Sequence, residues 1–201
     1  MSTLGLVLLA AGGSTRLGTP KQLLPYRGKS LLRRAAESAV ASNCRPIVVV
    51  LGAHAEDCNH ELHNLPVAIV VNPDWMEGMG VSIRLGMGTL LRESPRPLDA
   101  VIVMLCDQPL VTVGTLNALI DAIDSTSARI IASTYGEVSG VPALFDKSLF
   151  PELLNLNGVQ GAKQILQRYP HDIHKVAFAD GGIDIDTAAD YERLRTEYPS
   201  D

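Results

Sequence analysis

Six short apolar runs alternate with six longer amphipathic segments, and this alternation restricts the fold more than any other property of the chain. The runs stand at Gly5–Ala10, Pro46–Leu51, Val67–Val71, Ala100–Leu105, Arg129–Thr134 and Ile173–Phe178, the first four nearly continuous in apolar residues. That is the pattern of strands covered on both faces. Between them Ser30–Ser42, Ala55–Asn64, Val81–Leu91, Val113–Ser125, Gly161–Arg168 and Ala188–Glu197 read as helices, the last preceded by a capping-box-like Thr187/Asp190 pair. The expected fold is therefore α/β, a mostly parallel sheet with helices on both sides. With 201 residues, 46% of them hydrophobic, the chain can bury a sizeable core, and one domain over residues 1–201 is expected.

The first strand runs directly into Leu9-Ala10-Ala11-Gly12-Gly13-Ser14-Thr15-Arg16-Leu17-Gly18-Thr19-Pro20-Lys21. Gly12, Gly13 and Gly18 allow a sharp turn and close approach of backbone to a ligand. Backbone N–H groups there supply uncharged donors, while Arg16 and Lys21 add a bidentate and a point cation. The combination suits a nucleoside triphosphate. It matches neither common glycine fingerprint: Thr19 stands where a Walker loop needs lysine, and Gly12 and Gly13 are adjacent where a dinucleotide loop needs an intervening residue.

A formal net charge of −5 and the absence of any dense Lys/Arg run argue against a nucleic-acid or anionic-membrane surface. The local basic residues then serve a small anion. No apolar run is long enough to cross a bilayer, and no Lys or Arg precedes the apolar stretch at residues 4–11 as a signal peptide would require. A soluble, cytoplasmic chain is expected, its three cysteines, Cys44, Cys58 and Cys106, reduced.

Two further constellations fall at strand ends, where ligands bind in open α/β sheets. Asp107, in Cys106-Asp107-Gln108-Pro109, follows a hydrophobic strand and reads equally as a Mg2+ ligand and as a turn cap; the glycine loop favours the metal. Asp184 and Asp186 share one side of a turn before the last helix, Asp186 ranking first as a second ligand. Asn72, Gly78, Ser82 and Arg84 surround a glycine-rich strand-to-helix turn suited to substrate contact, with Ser82 placed at the helix N-terminus. The same turn also reads as a simple cap with Trp75 as packing. Gly140-Val141-Pro142 and Gly161-Ala162 read as flexible segments lining a second pocket. His54, Cys58, His60 and His63 lack the spacing of a known metal site and read as a solvated helix face.

Taken together, Leu9-Ala10-Ala11-Gly12 with Ser14, Arg16, Gly18, Pro20 and Lys21, then Asn72-Pro73, Gly78-Met79, Ser82-Ile83-Arg84, Asp107-Gln108-Pro109, Gly140-Val141-Pro142 with Phe145, Gly158, Gly161-Ala162 and Asp184-Ile185-Asp186-Thr187 resemble the MobA-like nucleotidyltransferase family over nearly the whole chain. The nearest branch is the molybdenum cofactor cytidylyltransferases. The resemblance implies a Rossmann-like three-layer sandwich and Mg2+-dependent nucleotidyl transfer with release of pyrophosphate. It implies Lys21 and Arg16 as catalytic cations, and Leu9, Ala10, Ala11, Gly12, Gly13, Ser14, Asn72, Gly78 and Ser82 at the nucleotide. It further implies Arg84, Gly140, Pro142 and Gly161 at the acceptor, with Asp107 and Asp186 on the metal. Ala11 goes with cytidine preference in relatives, so the implied substrates are CTP and a molybdopterin-type acceptor, with a molybdoenzyme as recipient. Two alternatives stay open: transfer from GTP or to a sugar or alcohol phosphate, and a non-catalytic carrier of the cofactor.

Overall fold

The computed structural model describes residues 2–199. Strand β1 (Leu4–Ala10) leads through a 3-10 turn (Lys21–Leu23) into a small hairpin, β2 (Pro25–Tyr26) and β3 (Lys29–Ser30). Then follow α1 (Leu31–Ala41), β4 (Ile47–Leu51), α2 (Ala55–Glu61), β5 (Ala68–Val71), α3 (Met79–Glu93) and β6 (Ala100–Leu105). The second half holds α4 (Val113–Asp121), β7 (Ile130–Tyr135), β8 (Val138–Asp146), α5 (Phe150–Leu154), α6 (Lys163–Arg168), β9 (Ile173–Ala177) and α7 (Ala188–Glu197).

The main sheet has seven strands in the order β5-β4-β1-β6-β8-β7-β9. Only β8 runs antiparallel to its neighbours. All seven residues of β1 and all five of β4 are buried, because both faces of the sheet are covered. Side chains alternate between two cores, as a strand's period of two requires. Leu6 and Leu8 join Leu32, Leu51 and Leu116 beneath α1, α2 and α4; Val7 and Leu9 join Val50, Ile83 and Phe145 beneath α3, α5 and α6. The expected three-layer α/β sandwich is the observed fold.

Helix α3 lies close on the sheet because Gly86 has no side chain: a Cβ there would come 2.6 Å from Val7 Cγ1 and 2.8 Å from Val50 Cγ2. Gly86→Ala is expected to destabilise by about 1 kcal/mol in urea unfolding, overpacking two rigid β-branched neighbours outweighing the gain in helix propensity.

Several elements depart from the sequence-based expectation. The segment read as flexible around Gly140 and Pro142 is β8, a nine-residue strand inside the sheet. Pro142 is tolerated because pairing with β6 reaches only to Ala143, and a register shift between Ala132 and Ser133 opens the other ladder at the same level. Its carbonyl accepts from Ser133 Oγ at 2.7 Å. Helix α5 is an addition to the six expected helices, and α2 stops at Glu61, short of Asn64, which takes a left-handed φ of 63°.

No helix among the described residues is long and apolar enough to cross a membrane. The three cysteines are free and buried, and burial pushes the Cys44 and Cys58 thiols up to about 11. Cys58 faces the core while His60 and His63 are exposed, so the four residues of that helix region do not converge.

Candidate active site

The glycine loop after β1 is held by a side chain that sequence reasoning passes over. Gln22, only 1% exposed, donates Nε2 to Ala10 O at 3.0 Å and to Gly12 O at 2.6 Å. Its Oε1 accepts from Ser14 Oγ at 3.3 Å, and that hydroxyl in turn accepts from Lys21 N at 2.9 Å. Residues 10–14 and the turn carrying Lys21 are thereby tied into one unit, with Ser14 at a left-handed φ of 52°. Carbonyls are spent inward on the amide, whereas the N–H groups of Gly12, Gly13 and Ser14 donate to no protein acceptor among the described residues. Gly13 is required by packing, since a Cβ would lie 2.7 Å from Trp75 Cη2; Gly12 has open space above it. Gln22→Leu strands the buried Ala10 carbonyl and frees that of Gly12, so it is expected to cost about 1–3 kcal/mol in urea unfolding and to weaken nucleotide binding.

Beside this loop lies a four-membered charge cluster. Lys21 Nζ is 2.5 Å from Asp107 Oδ2 and 2.9 Å from Asp186 Oδ1, and Arg16 reaches Asp186 Oδ2 at 2.8 Å. Three separate segments contribute: the loop after β1, the loop after β6, and the approach to α7. Ile185, fully buried, anchors the last of these, its N–H donating to Asp107 O at 3.0 Å. The Thr187/Asp190 capping box then starts α7.

Burial works against the Lys21 ammonium, but Asp107 and Asp186 outweigh it and hold its pKa well above the usual lysine value. Burial likewise opposes ionisation of Asp186, and Lys21 and Arg16 together pull it below the ordinary carboxylate range. Asp184 has no such cation in contact: burial first, then the charge of Asp107, pushes it up to about 6. The second Asp107 oxygen, Oδ1, is buried with no hydrogen-bond donor among the described residues.

Two neighbouring cavities lie beside the cluster. The smaller, about 190 Å3, is lined by Leu9, Ala10, Ala11 and Gly12 on one side and by Trp75, Ser82 and Asp107 on the other. The larger, about 520 Å3, lies beyond Met79 and Leu105, which border both. Its walls include Gln108, Tyr135, Gly140, Gly161 and Asp184. A third concavity of about 530 Å3 opens at the far end of the strands around Asp99, Arg129 and Lys147. Lys147 is paired there with Asp99 and Arg129 with Asp172, while Asp146 accepts from Ser148 N.

The structure thus gathers Lys21, Arg16, Asp107, Asp186 and the glycine loop at one place, with Gly140 and Gly161 next door. Gly78 and Ser82 border the smaller cavity with the loop, whereas Asn72, Pro142 and Arg84 line neither cavity. Asn72 is buried, donating to Ser82 Oγ at 2.9 Å and accepting from Asp74 N at 3.0 Å, so it braces the strand-to-helix turn from behind. Ser82 sits one turn inside α3 rather than at its cap, which is Gly78. Gly78 has a φ of 121°, and a Cβ there would lie 2.4 Å from Gly158 O. Pro142 is buried in β8, behind the cavity wall formed by Gly140 and Val141. Arg84 is exposed and borders neither cavity; its guanidinium reaches toward Leu156 O. With Ile83, Met87 and Leu90 fixed on the buried face of α3, the helical period turns Arg84 outward.

Gln22, Gln108 and Tyr135 are the contributors that sequence reasoning misses. The one available signal is a glutamine set among Lys21, Leu23 and Leu24 in a turn packed against apolar strands, where a polar side chain must find internal partners.

Residues 6–173 match the MobA-like NTP transferase domain. Over 199 residues the chain is 34% identical to nicotine blue oxidoreductase of Paenarthrobacter nicotinovorans, with 94% of each chain covered. Molybdenum cofactor cytidylyltransferase of Escherichia coli K12 is 22% identical over 199 residues, with 98% of each covered. Among solved structures, Rv0371c of Mycobacterium tuberculosis superposes with a TM-score of 0.79 at 32% identity, over 96% of this chain and 98% of that one. The same protein has been solved in complex with manganese.

Proposed function

This chain belongs to the MobA-like NTP transferase family, and on that footing we propose that it transfers CMP from CTP to molybdopterin with release of pyrophosphate. The observation that carries this reading is Lys21, held between Asp107 and Asp186 directly beside a loop whose N–H groups are unspent. Such a cluster manages the charge of a triphosphate and offers little else. Phosphoryl and nucleotidyl transfer depend chiefly on positioning and electrostatics, so that is sufficient.

The amides of Gly12, Gly13 and Ser14 would bind phosphate oxygens, while Lys21 and Arg16 leave the carboxylates to neutralise the leaving pyrophosphate. The acceptor phosphate, entering from the larger cavity, would attack the α-phosphorus in line. A phosphate monoester has a second pKa of about 6, so no general base is demanded of the protein. Asp107, with its unpartnered buried Oδ1, and Asp186 are suited to a hard divalent cation, read here as Mg2+. When bound, that ion supplies charge neutralisation across the phosphate oxygens. The manganese complex of Rv0371c and the name of the Escherichia coli relative support this reading, as does Ala11 for the choice of cytidine.

A second reading has one observation in its favour, the oxidoreductase name of the relative at 34% identity. The loop would then hold a reducing nucleotide's phosphates and the larger cavity a flat oxidised substrate. Pyrophosphate release from CTP, GTP, ATP and UTP, each with Mg2+ and with or without molybdopterin, separates the two. Release from CTP only when the pterin is present supports the transferase. Silence with all four, together with oxidation of NADH or NADPH by an added quinonoid dye, moves the reading to the reductase.

A further inference from the structure

Tyr135 closes β7 beside the larger cavity, and its ring occupies space that two other residues have vacated. A Cβ on Gly140 would lie 2.0 Å from the Tyr135 hydroxyl oxygen, and a Cβ on Gly181 would lie 2.5 Å from its Cδ1. Neither glycine has a left-handed φ, so backbone conformation does not require them there. What requires them is the ring. Gln108 ties the two flanking segments together, donating Nε2 to Val141 O at 3.1 Å and to Gly181 O at 3.3 Å.

With a further side-chain hydrogen bond to Asp184, these contacts hold the amide through its nitrogen and leave Oε1 as an acceptor without a partner among the described residues. The Tyr135 hydroxyl makes no hydrogen bond to a protein group among the described residues, with burial and the charge of Asp184 as the influences on it. One wall of the cavity therefore combines an aromatic ring locked in place with an unspent phenol donor, and Asp184 borders the same space. A ring clamped this rigidly suits a flat ligand carrying donors and acceptors around its edge.

We propose that Tyr135, seated by Gly140 and Gly181 and braced through Gln108, is the specificity-determining residue for the acceptor, packing on a planar heteroaromatic ring and hydrogen-bonding its edge. The assignment rests on the larger cavity being the acceptor's.

The test uses the full chain with two probes: unsubstituted pterin, followed by its own fluorescence, and CTP with Mg2+. Tyr135→Ala and Gly140→Ala, the latter displacing the ring without deleting it, are expected to weaken pterin binding by about tenfold or more. CTP affinity should stay within about twofold of the wild type, because neither residue borders the smaller cavity. Tyr135→Phe keeps the ring seated and should lose about threefold, the share of one hydrogen bond. Pterin binding unchanged in all three variants overturns the assignment, as does a wild type that binds CTP but no pterin. A wild type that binds neither probe overturns the proposed function and this assignment with it.

Discussion

Replacing Lys21 with alanine is expected to lower kcat by about a hundredfold to a thousandfold, the usual cost of deleting one preorganised charge contact to a developing oxyanion. The ammonium is the best-held cation in the cleft: its side chain is 15% exposed and it bridges two carboxylates from distant parts of the chain. Arg16, 68% exposed and paired only with Asp186, is looser, so its loss should be milder. The fold should survive the Lys21 change. None of the three hydrophobic clusters includes Lys21, and the loop's shape comes from Gln22 and Ser14, which stay in place. Circular dichroism should therefore give a native spectrum with a melting point lowered by no more than several degrees. A variant turning over at the wild-type rate would remove Lys21 from the chemistry.

The second large effect is at Asp107. Its Oδ2 accepts from Lys21 while Oδ1 is buried and unpartnered, an arrangement that costs free energy unless something positive completes it. Asp107→Ala is expected to abolish measurable activity and, with it, the dependence of nucleotide binding on Mg2+. Titration calorimetry of CTP with and without the metal provides the check. The wild type should bind the nucleotide much more tightly with Mg2+ present, the variant equally in both conditions. A variant with an undiminished Mg2+ response would take Asp107 out of the metal site and leave Asp186 as its carboxylate.

Much of this architecture is readable from residue order. The runs in β1, β4 and β6 are apolar without interruption because each is covered on both faces; a strand open to water on one side would alternate instead. Carboxylates just past strand ends, Asp107 above all, are conspicuous for the same reason: the strand fixes where they emerge. Strand β8 is hidden because Gly140 and Pro142 look like turn residues. Gly140 is small to admit Tyr135, and Pro142 lies where neither ladder needs its missing N–H, and both facts depend on neighbours distant in sequence. Gln22 is hidden likewise, since its partners are backbone carbonyls that no residue identity announces. Arg84 is legible in the helical phase alone, which sets it against the face carrying Ile83 and Met87; its charge beside a glycine-rich turn points the wrong way.

The most direct test follows the α-phosphate itself. With CTP labelled on the α-phosphorus, Mg2+ and molybdopterin, label is expected to become covalently attached to the pterin, one equivalent for each pyrophosphate released. Label that remains in CTP, or that emerges only as free CMP or CDP while the pterin stays unlabelled, would contradict nucleotidyl transfer to this acceptor.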